Sequence, residues 1–347
     1  MKLFSSDLNI TEDVSLKAWN TLGLEARARY YLAACSDVQA IEAMERAHAA
    51  ALPVLVLGGG SNILFVGDWQ GLVLHVHTAG KKLLQETESE VLIEAAAGEN
   101  WHALVMWAVS QGWGGIENLA LIPGTVGAAP IQNIGAYGVE LKDVLEQVCV
   151  WIAGEGIVWL KNEDCALGYR DSIFKQMARG DYLVLSIRLR LQKQKRPNLS
   201  YYALKQYFEE KGIVAPTIAE VAQAVIDIRR SKLPDPAQIG NAGSFFKNPV
   251  VERQQFERLR AQYPSMPFFE VDEQQVKIPA AWLIEQCGWK GKRRGAVGVH
   301  EHQALVLVHY GGGSGSELWQ LAQDIQKDVL SRFGIALQPE VNVLGGD

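Results

Sequence analysis

The spacing of apolar residues divides the first half of the chain into short helices and strands. Apolar residues recur every three or four positions over Asp37–His48 and over Trp101–Gln111, and this period predicts two helices. Buried strands are predicted from short continuous apolar runs at residues 53–57, 71–75 and 91–95. Apolar and polar residues then alternate over Tyr182–Leu191, which predicts a strand with one face in water.

The second half of the chain favours longer helices. Thr217 and Glu220 have the spacing of a capping box, and they predict a helix that runs to about residue 230. Amphipathic patterns predict further helices at residues 251–262 and 316–332. Before these elements lies Gln192–Asn198, a charged stretch with a proline, which we take as a domain boundary near residue 196.

Composition and charge narrow the classes of protein. A chain of 347 residues is too long for one ordinary core, so two or three domains are expected. The 33 basic and 39 acidic side chains give a net charge of -6, which excludes the basic footprint of a nucleic-acid-binding protein. The four cysteines form no CxxC pair and no metal site is expected. Residues 1–7 show no signal-peptide core and no apolar run could span a bilayer, so we expect a cytoplasmic protein without a membrane partner.

Three consecutive glycines, Gly58, Gly59 and Gly60, follow the predicted strand at 53–57 and precede Ser61 and Asn62. Consecutive glycines let backbone N–H groups converge on an anion, which favours a phosphate cradle. No GK[ST] follows, so this is not a Walker A loop, and no amphipathic helix follows, as a Rossmann turn requires. A plain tight turn is the alternative.

A second glycine-rich stretch, Glu117–Gly138, has little charge and many small residues. Such a composition builds neither a good helix nor a strand ladder, but it allows backbone to pass close to a large flat ligand. The alternative is a buried connecting loop, which is uncommon at this length unless it is functional.

Three polar residues in separate segments are candidates for chemistry. Arg170 lies between an aromatic and an acidic residue, and Ser244 lies between small residues and two phenylalanines. Glu340 falls in a strand predicted at Ile335–Val343, on the same face as Gln338 and Asn342. Taken singly, these residues are ordinarily a surface arginine, a loop serine and a solvated glutamate.

Long, rare strings in one order connect these segments: NLALIPG, PIQNIGAYGVEL, GYRDSIFK, KLPDP and NAGSFFKNP. Together they resemble the UDP-N-acetylenolpyruvoylglucosamine reductases over nearly the whole chain, and the extra segment after Asn198 resembles the longer, type I branch. The resemblance implies an α+β protein with a two-part FAD-binding module of the vanillyl-alcohol-oxidase (PCMH) type and a C-terminal α+β substrate-binding domain. We expect the module at residues 1–196, with its internal break near 68–85, and the substrate domain at 197–347, whose terminal strand returns Glu340 to the active site.

The resemblance also implies the chemistry. NADPH reduces FAD and leaves, and the enolpyruvyl group of the nucleotide sugar then receives the hydride, which leaves a carbanion beside the carboxylate. Arg170 resembles the family's active-site arginine, and a guanidinium suits that role because it matches the geometry of a carboxylate. Ser244 resembles the proton donor, and Glu340 resembles a third catalytic residue that we expect in its protonated form.

Other positions match those that hold ligands in the family. Tyr201, Lys232, Asn248 and Gln303 would contact the diphosphate of the substrate, with Arg229 nearby. The positions that would line FAD are Gly58, Gly59, Gly60, Ser61, Asn62, Pro123, Gly124, Gly135, Ala136 and Tyr169. Asn342 stands where some members carry arginine, and an asparagine cannot supply a charge at that position. The expected partner is a small nucleotide sugar, and the protein is expected to act as a monomer.

Two alternatives remain from different classes. A flavoprotein oxidase of the same superfamily would need no proton donor to a carbanion, so Arg170, Ser244 and Glu340 together argue against it. A silent flavin or nucleotide-sugar binder would be expected to lack at least one of these three residues, and all three are present.

Overall fold

The computed structural model describes residues 8–194 and 196–345. Over this part of the chain the backbone folds into two compact units. The first comprises the described residues up to Val14 together with Ala28–Gly59 and Trp69–Ser231, and the second comprises Ser15–Arg27, Gly60–Asp68 and the described residues from Lys232 onward. Residues 1–7, from which the absence of a signal peptide was argued, lie outside the described residues.

The strands, in chain order, are β1 (Thr11–Ser15), β2 (Arg27–Ala34), β3 (Val54–Leu57), β4 (Ile63–Phe65), β5 (Trp69–Val76), β6 (Lys81–Glu86), β7 (Glu90–Ala96), β8 (Gly135–Ala136), β9 (Val139–Glu140), β10 (Leu145–Ile152), β11 (Gly156–Lys161), β12 (Tyr182–Gln192), β13 (Gly240–Ser244), β14 (Val250–Glu252), β15 (Phe269–Glu270), β16 (Gln275–Lys277), β17 (Arg293–Arg294), β18 (Val297–Val299), β19 (Val306–His309) and β20 (Asn342–Leu344). The α-helices are α1 (Asp37–Ala49), α2 (Trp101–Ser110), α3 (Ile173–Gln176), α4 (Tyr202–Glu210), α5 (Ile218–Lys232), α6 (Arg253–Gln262), α7 (Ala280–Gln286) and α8 (Gly315–Phe333).

A four-stranded sheet and helix α1 form the first core of the first unit. The strand order is β1-β2-β5-β3, and β5 pairs in parallel with both β2 and β3. Leu72 and Leu74 of β5 are fully buried in one cluster with Met44 of α1. The helix begins where its apolar period begins, because the Ser36 side chain accepts a hydrogen bond from the Gln39 N–H.

A five-stranded antiparallel sheet, with strand order β11-β10-β12-β7-β6, separates this core from a larger one. Strand β12 alternates in burial as its sequence predicts: Leu189 is fully buried in the larger core, whereas Arg188 and Arg190 are half-buried. Leu183 and Leu185 belong to the first core instead. Because both faces of the sheet are packed, the first unit contains two cores joined through one sheet.

Helices α4 and α5 extend the larger core beyond the boundary that we expected near residue 196. Leu204 and Phe208 of α4 and Val225 of α5 are buried in it. The chain therefore divides between residues 231 and 232, because the apolar faces of these two helices are covered by the first unit. The capping box that opens α5 forms as predicted, since the Glu220 carboxylate accepts from the Thr217 N–H at 2.7 Å.

The second unit has its own core around helix α8, which packs with strands β18 and β19. A capping box between Ser314 and Glu317 opens this helix, and Gly334 ends it in the left-handed conformation. Its sheets have the orders β13-β19-β18-β17, β14-β16-β15 and β20-β4. The last pair is parallel and brings the end of the chain beside the segment that follows the three glycines.

Two predicted elements differ from the structure. The helix predicted from Val251 begins at Arg253, because residues 250–252 pair with β16. The strand predicted at 335–343 is instead a short strand at 342–344 and a single bridge at Pro339, since proline has no N–H with which to continue a ladder. Among the helices of the described residues, none combines the length and the apolar character that a bilayer span requires.

Candidate functional site

The two glycine-rich segments meet in the first unit. A Cβ atom on Gly58 would lie 2.2 Å from Oγ1 of Thr125, and one on Gly59 would lie 2.9 Å from Cα of Gly124. Only residues without a side chain allow the two backbones to approach this closely. A tight turn alone therefore does not explain Gly58 and Gly59, because these residues also pack closely against the segment that follows Pro123.

The segment from Glu117 to Gly138 has more regular structure than its composition predicted. It contains 3₁₀ turns at 117–119, 126–128 and 130–132, and strands β8 and β9 form a small ribbon. Tyr137 and Gly138 connect the two strands with positive φ angles of 49° and 80°, as a tight two-residue hairpin requires. Gly135 and Ala136 lie on the ribbon, at positions that we expected to line FAD.

Two histidines support this region, and sequence reasoning missed both. The imidazole of His75 hydrogen-bonds with the Gly58 backbone, and the Tyr31 hydroxyl lies 2.7 Å from its Nδ1. Burial lowers the pKa of His75 to about 4, so this ring is neutral near pH 7. Nδ1 of His102 accepts a hydrogen bond from the N–H of Leu121, whose φ is +59°. The available signal for His75 was a histidine within the apolar run of β5.

Arg170 lies in a tight turn of the first unit and has a positive φ of 53°. This conformation costs a residue with a side chain about 1–2 kcal/mol, so the surrounding contacts must hold it. The guanidinium Nη2 donates to the Gly135 carbonyl at 2.7 Å, and its centre lies 5.5 Å from the Tyr169 ring centroid. The Arg170 carbonyl accepts from Lys175 Nζ at 2.9 Å. The structure thus brings Arg170 and Tyr169 to the ribbon that carries Gly135 and Ala136.

Arg229 adds a second guanidinium to the same neighbourhood. Its Nε is inaccessible to solvent and has no hydrogen-bond partner among the described residues. Burial lowers the pKa of Arg229, and the positive charge of Arg170 acts in the same direction. A buried guanidinium with an unpaired donor, close to a second positive charge, forms an environment that a bound anion would stabilise.

Tyr201 lies beside this cationic region. Its ring packs edge to face on Tyr137, with a centroid distance of 5.1 Å. Nδ2 of Asn118 donates to the carbonyls of Tyr137 and Asn198, which ties the extra segment to the glycine-rich one. Sequence reasoning missed Asn118 and Tyr137, although both lie in strings that carry the resemblance.

Ser244 ends strand β13 in the second unit. The strand pairs with β19 but bulges between Asn241 and Ser244, where Gly243 has a φ of +68°. The Asn241 side chain stabilises the bulge by accepting from the Gly243 N–H at 3.0 Å. Ser244 is half-buried and is followed by the fully buried Phe245.

Glu340 lies one residue beyond the bridge at Pro339 and not within a strand. Its N–H donates to the carbonyl of Phe245, the residue that follows Ser244, at 2.8 Å. Its carbonyl accepts from Nδ2 of Asn62 at 3.2 Å, and Asn342 donates to the Asn62 carbonyl through both its N–H and its side chain. Asn342 therefore has a structural role, in holding the end of the chain against Asn62.

The remaining predicted residues of the second unit are more dispersed. Gly60 approaches the backbone of Trp19, and Ser61 leads to β4. Oδ1 of Asn248 accepts from the Ala280 N–H at the start of α7. The other two predicted ligand residues are Lys232, exposed at the end of α5, and Gln303, half-buried before β19.

Comparison with known proteins gives consistent matches. Residues 235–344 match the family model of the UDP-N-acetylenolpyruvoylglucosamine reductase C-terminal domain, and residues 28–161 match that of an FAD binding domain. The UDP-N-acetylenolpyruvoylglucosamine reductase of Pseudomonas putida is 47% identical, over 96% of this chain and 98% of its own. The enzyme of that name from Pseudomonas aeruginosa is 47% identical, over 97% of this chain and 99% of its own.

A solved structure agrees at the level of the fold. The crystal structure of UDP-N-acetylenolpyruvylglucosamine reductase from Thermus caldophilus superposes with a TM-score of 0.65. It covers 96% of this chain and 98% of its own, at 24% sequence identity. The chain therefore has the expected α+β fold, with an FAD-binding module and a C-terminal domain.

Proposed function

Because the chain belongs to the UDP-N-acetylenolpyruvoylglucosamine reductase family, we propose that it is the FAD-dependent enzyme that reduces UDP-N-acetylglucosamine enolpyruvate to UDP-N-acetylmuramate with NADPH. This reaction supplies a precursor of peptidoglycan. The observation that supports it most strongly is Arg229, whose buried Nε lacks a partner near the guanidinium of Arg170. That pair matches a substrate with a carboxylate and a diphosphate.

The first unit fits FAD. Gly58 and Gly59 have no space for a side chain against Thr125 and Gly124, so glycine is required for the two loops to pack together. The backbone N–H groups of these glycines would hold the phosphates of the cofactor. The ribbon with Gly135 and Ala136 offers the same kind of small surface. When bound, FAD supplies the chemistry that accepts hydride from NADPH and passes hydride to the enolpyruvyl group.

Arg170 would hold the substrate carboxylate. Its guanidinium is directed by two main-chain carbonyls, with Nη2 on Gly135 and Nη1 3.5 Å from the Asn133 carbonyl. A planar cation beside the carboxylate also stabilises the negative charge that develops there as hydride arrives.

Ser244 would deliver the proton that completes the reaction. A hydroxyl is a weak acid, yet it suffices toward a strongly basic carbanion, and such general acid catalysis contributes about 10²–10⁴-fold. Because Ser244 is half-buried, bulk water would have limited access to this step. Glu340, joined to Phe245 through its N–H, would assist as a neutral carboxyl that donates a hydrogen bond.

Tyr201, Lys232, Asn248 and Gln303 would bind the diphosphate, with Arg229 close to it. Oδ1 of Asn248 is already engaged by Ala280, which leaves the donor end of its amide for the anion. We also expect the protein to act as a monomer in the cytoplasm, where NADPH and nucleotide sugars are available.

An anaerobic titration tests this function. The purified protein should be yellow, NADPH should bleach it, and the enolpyruvyl nucleotide should restore the colour. UDP-N-acetylglucosamine, which lacks the enolpyruvyl group, is the matched control and should leave the protein bleached. If the enolpyruvyl nucleotide also leaves it bleached, the assignment fails.

A further inference from the structure

We propose that Asn133 is a positioning residue that fixes the active-site arginine, Arg170, at both ends before substrate binds. This inference rests on the role of Arg170 in the proposed function. Asn133 has no exposed surface, so each of its polar atoms must find a partner inside the protein. Those partners connect three segments of the first unit.

The side chain of Asn133 holds the base of Arg170. Its Nδ2 donates to the Gly168 carbonyl at 2.9 Å, which fixes the turn two residues before Arg170. The same Nδ2 donates to Glu140 Oε2 at 3.0 Å, and Oδ1 accepts from the Lys142 N–H at 3.0 Å. The turn that holds Arg170 at a positive φ is thus anchored to Glu140, the last residue of β9, and to Lys142, two residues beyond it.

The backbone of Asn133 holds the tip of Arg170. Its carbonyl lies 3.5 Å from Nη1, and the Gly135 carbonyl two residues later accepts from Nη2 at 2.7 Å. The side-chain bonds of Asn133 therefore determine where these two carbonyls stand. Without them, the left-handed turn of Arg170 and the two acceptors would lose their common anchor.

The residue type fits this position. Asn133 has a φ of +43°, a conformation that asparagine adopts more readily than most residues with a side chain. Aspartate has the same shape but would lose both donors and place a second carboxylate beside Glu140. Glutamine would have to accommodate an extra methylene group in a site with no exposed surface.

The test uses the holoenzyme with Asn133→Gly, which keeps the left-handed backbone and its carbonyl but deletes the side-chain bonds. We expect reoxidation of the NADPH-bleached enzyme by the enolpyruvyl nucleotide to slow by about 10-fold or more, whereas bleaching by NADPH changes by less than about 2-fold. Asn162→Ala is the matched control, since the Asn162 side chain donates to the Lys142 carbonyl at 2.7 Å and should leave both rates unchanged.

A double-mutant cycle separates positioning from general support of the fold. In an Arg170→Ala background, Asn133→Gly should slow reoxidation by less than about 2-fold further, because Asn133 acts through Arg170. Equal slowing in the wild-type and Arg170→Ala backgrounds would overturn the proposal, and so would an unchanged reoxidation rate in Asn133→Gly. Should Asn133→Gly fail to fold, Asn133→Ser is judged by the same cycle.

A structural readout does not depend on the substrate at all. In a crystal structure of the Asn133→Gly or Asn133→Ser holoenzyme, the Arg170 guanidinium should leave the Gly135 carbonyl. Retention of the 2.7 Å contact in the variant would overturn the inference, whatever the activity. Failure of the wild-type enzyme to be reoxidised by the nucleotide would instead refute the proposed function, so the two failures are distinguishable.

Discussion

The close approach of Gly58 to Thr125 allows the effect of a Gly58→Ala substitution on FAD affinity to be predicted. In Gly58→Ala, the new Cβ would lie 2.2 Å from Thr125 Oγ1, so the two segments must move apart by about 1 Å to reach ordinary contact. Overpacking of this kind costs about 1–3 kcal/mol. If binding FAD requires the undisturbed loops, that cost appears as a loss of affinity of about 5- to 150-fold.

A second substitution should restore the space. Thr125→Ala removes Oγ1 and Cγ2, and the nearest remaining atom, Cβ, lies 3.4 Å from the position of the new methyl group, at the edge of ordinary contact. The Gly58→Ala/Thr125→Ala protein should therefore bind FAD at least about 5-fold more tightly than Gly58→Ala alone. The single Thr125→Ala variant shows whether the threonine hydroxyl itself contributes to affinity.

The assay is a fluorescence titration of the apoprotein with FAD, since free FAD is fluorescent and becomes quenched on binding. Urea unfolding of the same four apoproteins shows whether the cost falls on the fold or on the cofactor site. Wild-type affinity in Gly58→Ala, or a double variant that binds no better than Gly58→Ala, would refute the packing argument.

Three further predictions concern single residues. Arg170→Lys should slow reoxidation by the enolpyruvyl nucleotide by about 10²-fold, because lysine cannot form a two-pronged bond with a carboxylate, and should leave NADPH bleaching within a few-fold of wild type; equal slowing of both would contradict this role. Ser244→Ala should likewise preserve bleaching and slow reoxidation by about 10²-fold or more, and a normal reoxidation rate would remove Ser244 from the proton-donor role. Burial lowers the pKa of His75 to about 4, so between pH 6.5 and 4 the unfolded chain binds a proton at this ring and the folded chain does not. The free energy of unfolding should therefore fall, by on the order of 3 kcal/mol, as the pH drops from 6.5 toward 4. Urea unfolding at several pH values should show that the free energy of unfolding falls less steeply with decreasing pH in His75→Gln than in wild type. The variant His48→Gln, at an exposed histidine, should behave as wild type, and the same pH dependence in all three proteins would contradict this prediction.

The regular elements were largely predictable because their signals are local. The apolar period of α1 and the Thr217–Glu220 capping box both lie within a few residues of the helix starts that they determine. The helix predicted at residue 251 was wrong at its start, because pairing with β16 depends on residues more than twenty positions away. Contacts across such distances leave no periodic trace in the sequence.

The division into units illustrates the same limit. Residues 15–27 and 60–68 belong with the C-terminal unit, although each lies within the N-terminal part of the chain. The proline-containing stretch at 192–198 suggested a boundary, but the apolar faces of α4 and α5 pack on the first unit and move the division to residue 231. The composition of a segment indicates whether it is exposed to solvent, but it does not indicate which core the following helix packs against.

The candidate site was reached mainly through resemblance, and the structure adds the supporting residues. Arg170 and Gly135 were expected, but the contact between them and its anchoring by Asn133 were not. The supporting role of His75 was not predicted from the sequence, because a single histidine in an apolar strand is usually a core residue. Glu340 was expected within a strand, whereas it lies in a bend held by Phe245 and Asn62.

The identity of the product tests the proposed reaction most directly. The protein should be incubated with NADPH and UDP-N-acetylglucosamine enolpyruvate, and the nucleotides should be separated and analysed by mass spectrometry. The proposed reaction yields one new nucleotide, heavier by two hydrogen atoms and co-eluting with authentic UDP-N-acetylmuramate, formed in step with NADPH oxidation. Recovery of the enolpyruvyl nucleotide unchanged while NADPH is consumed would contradict it.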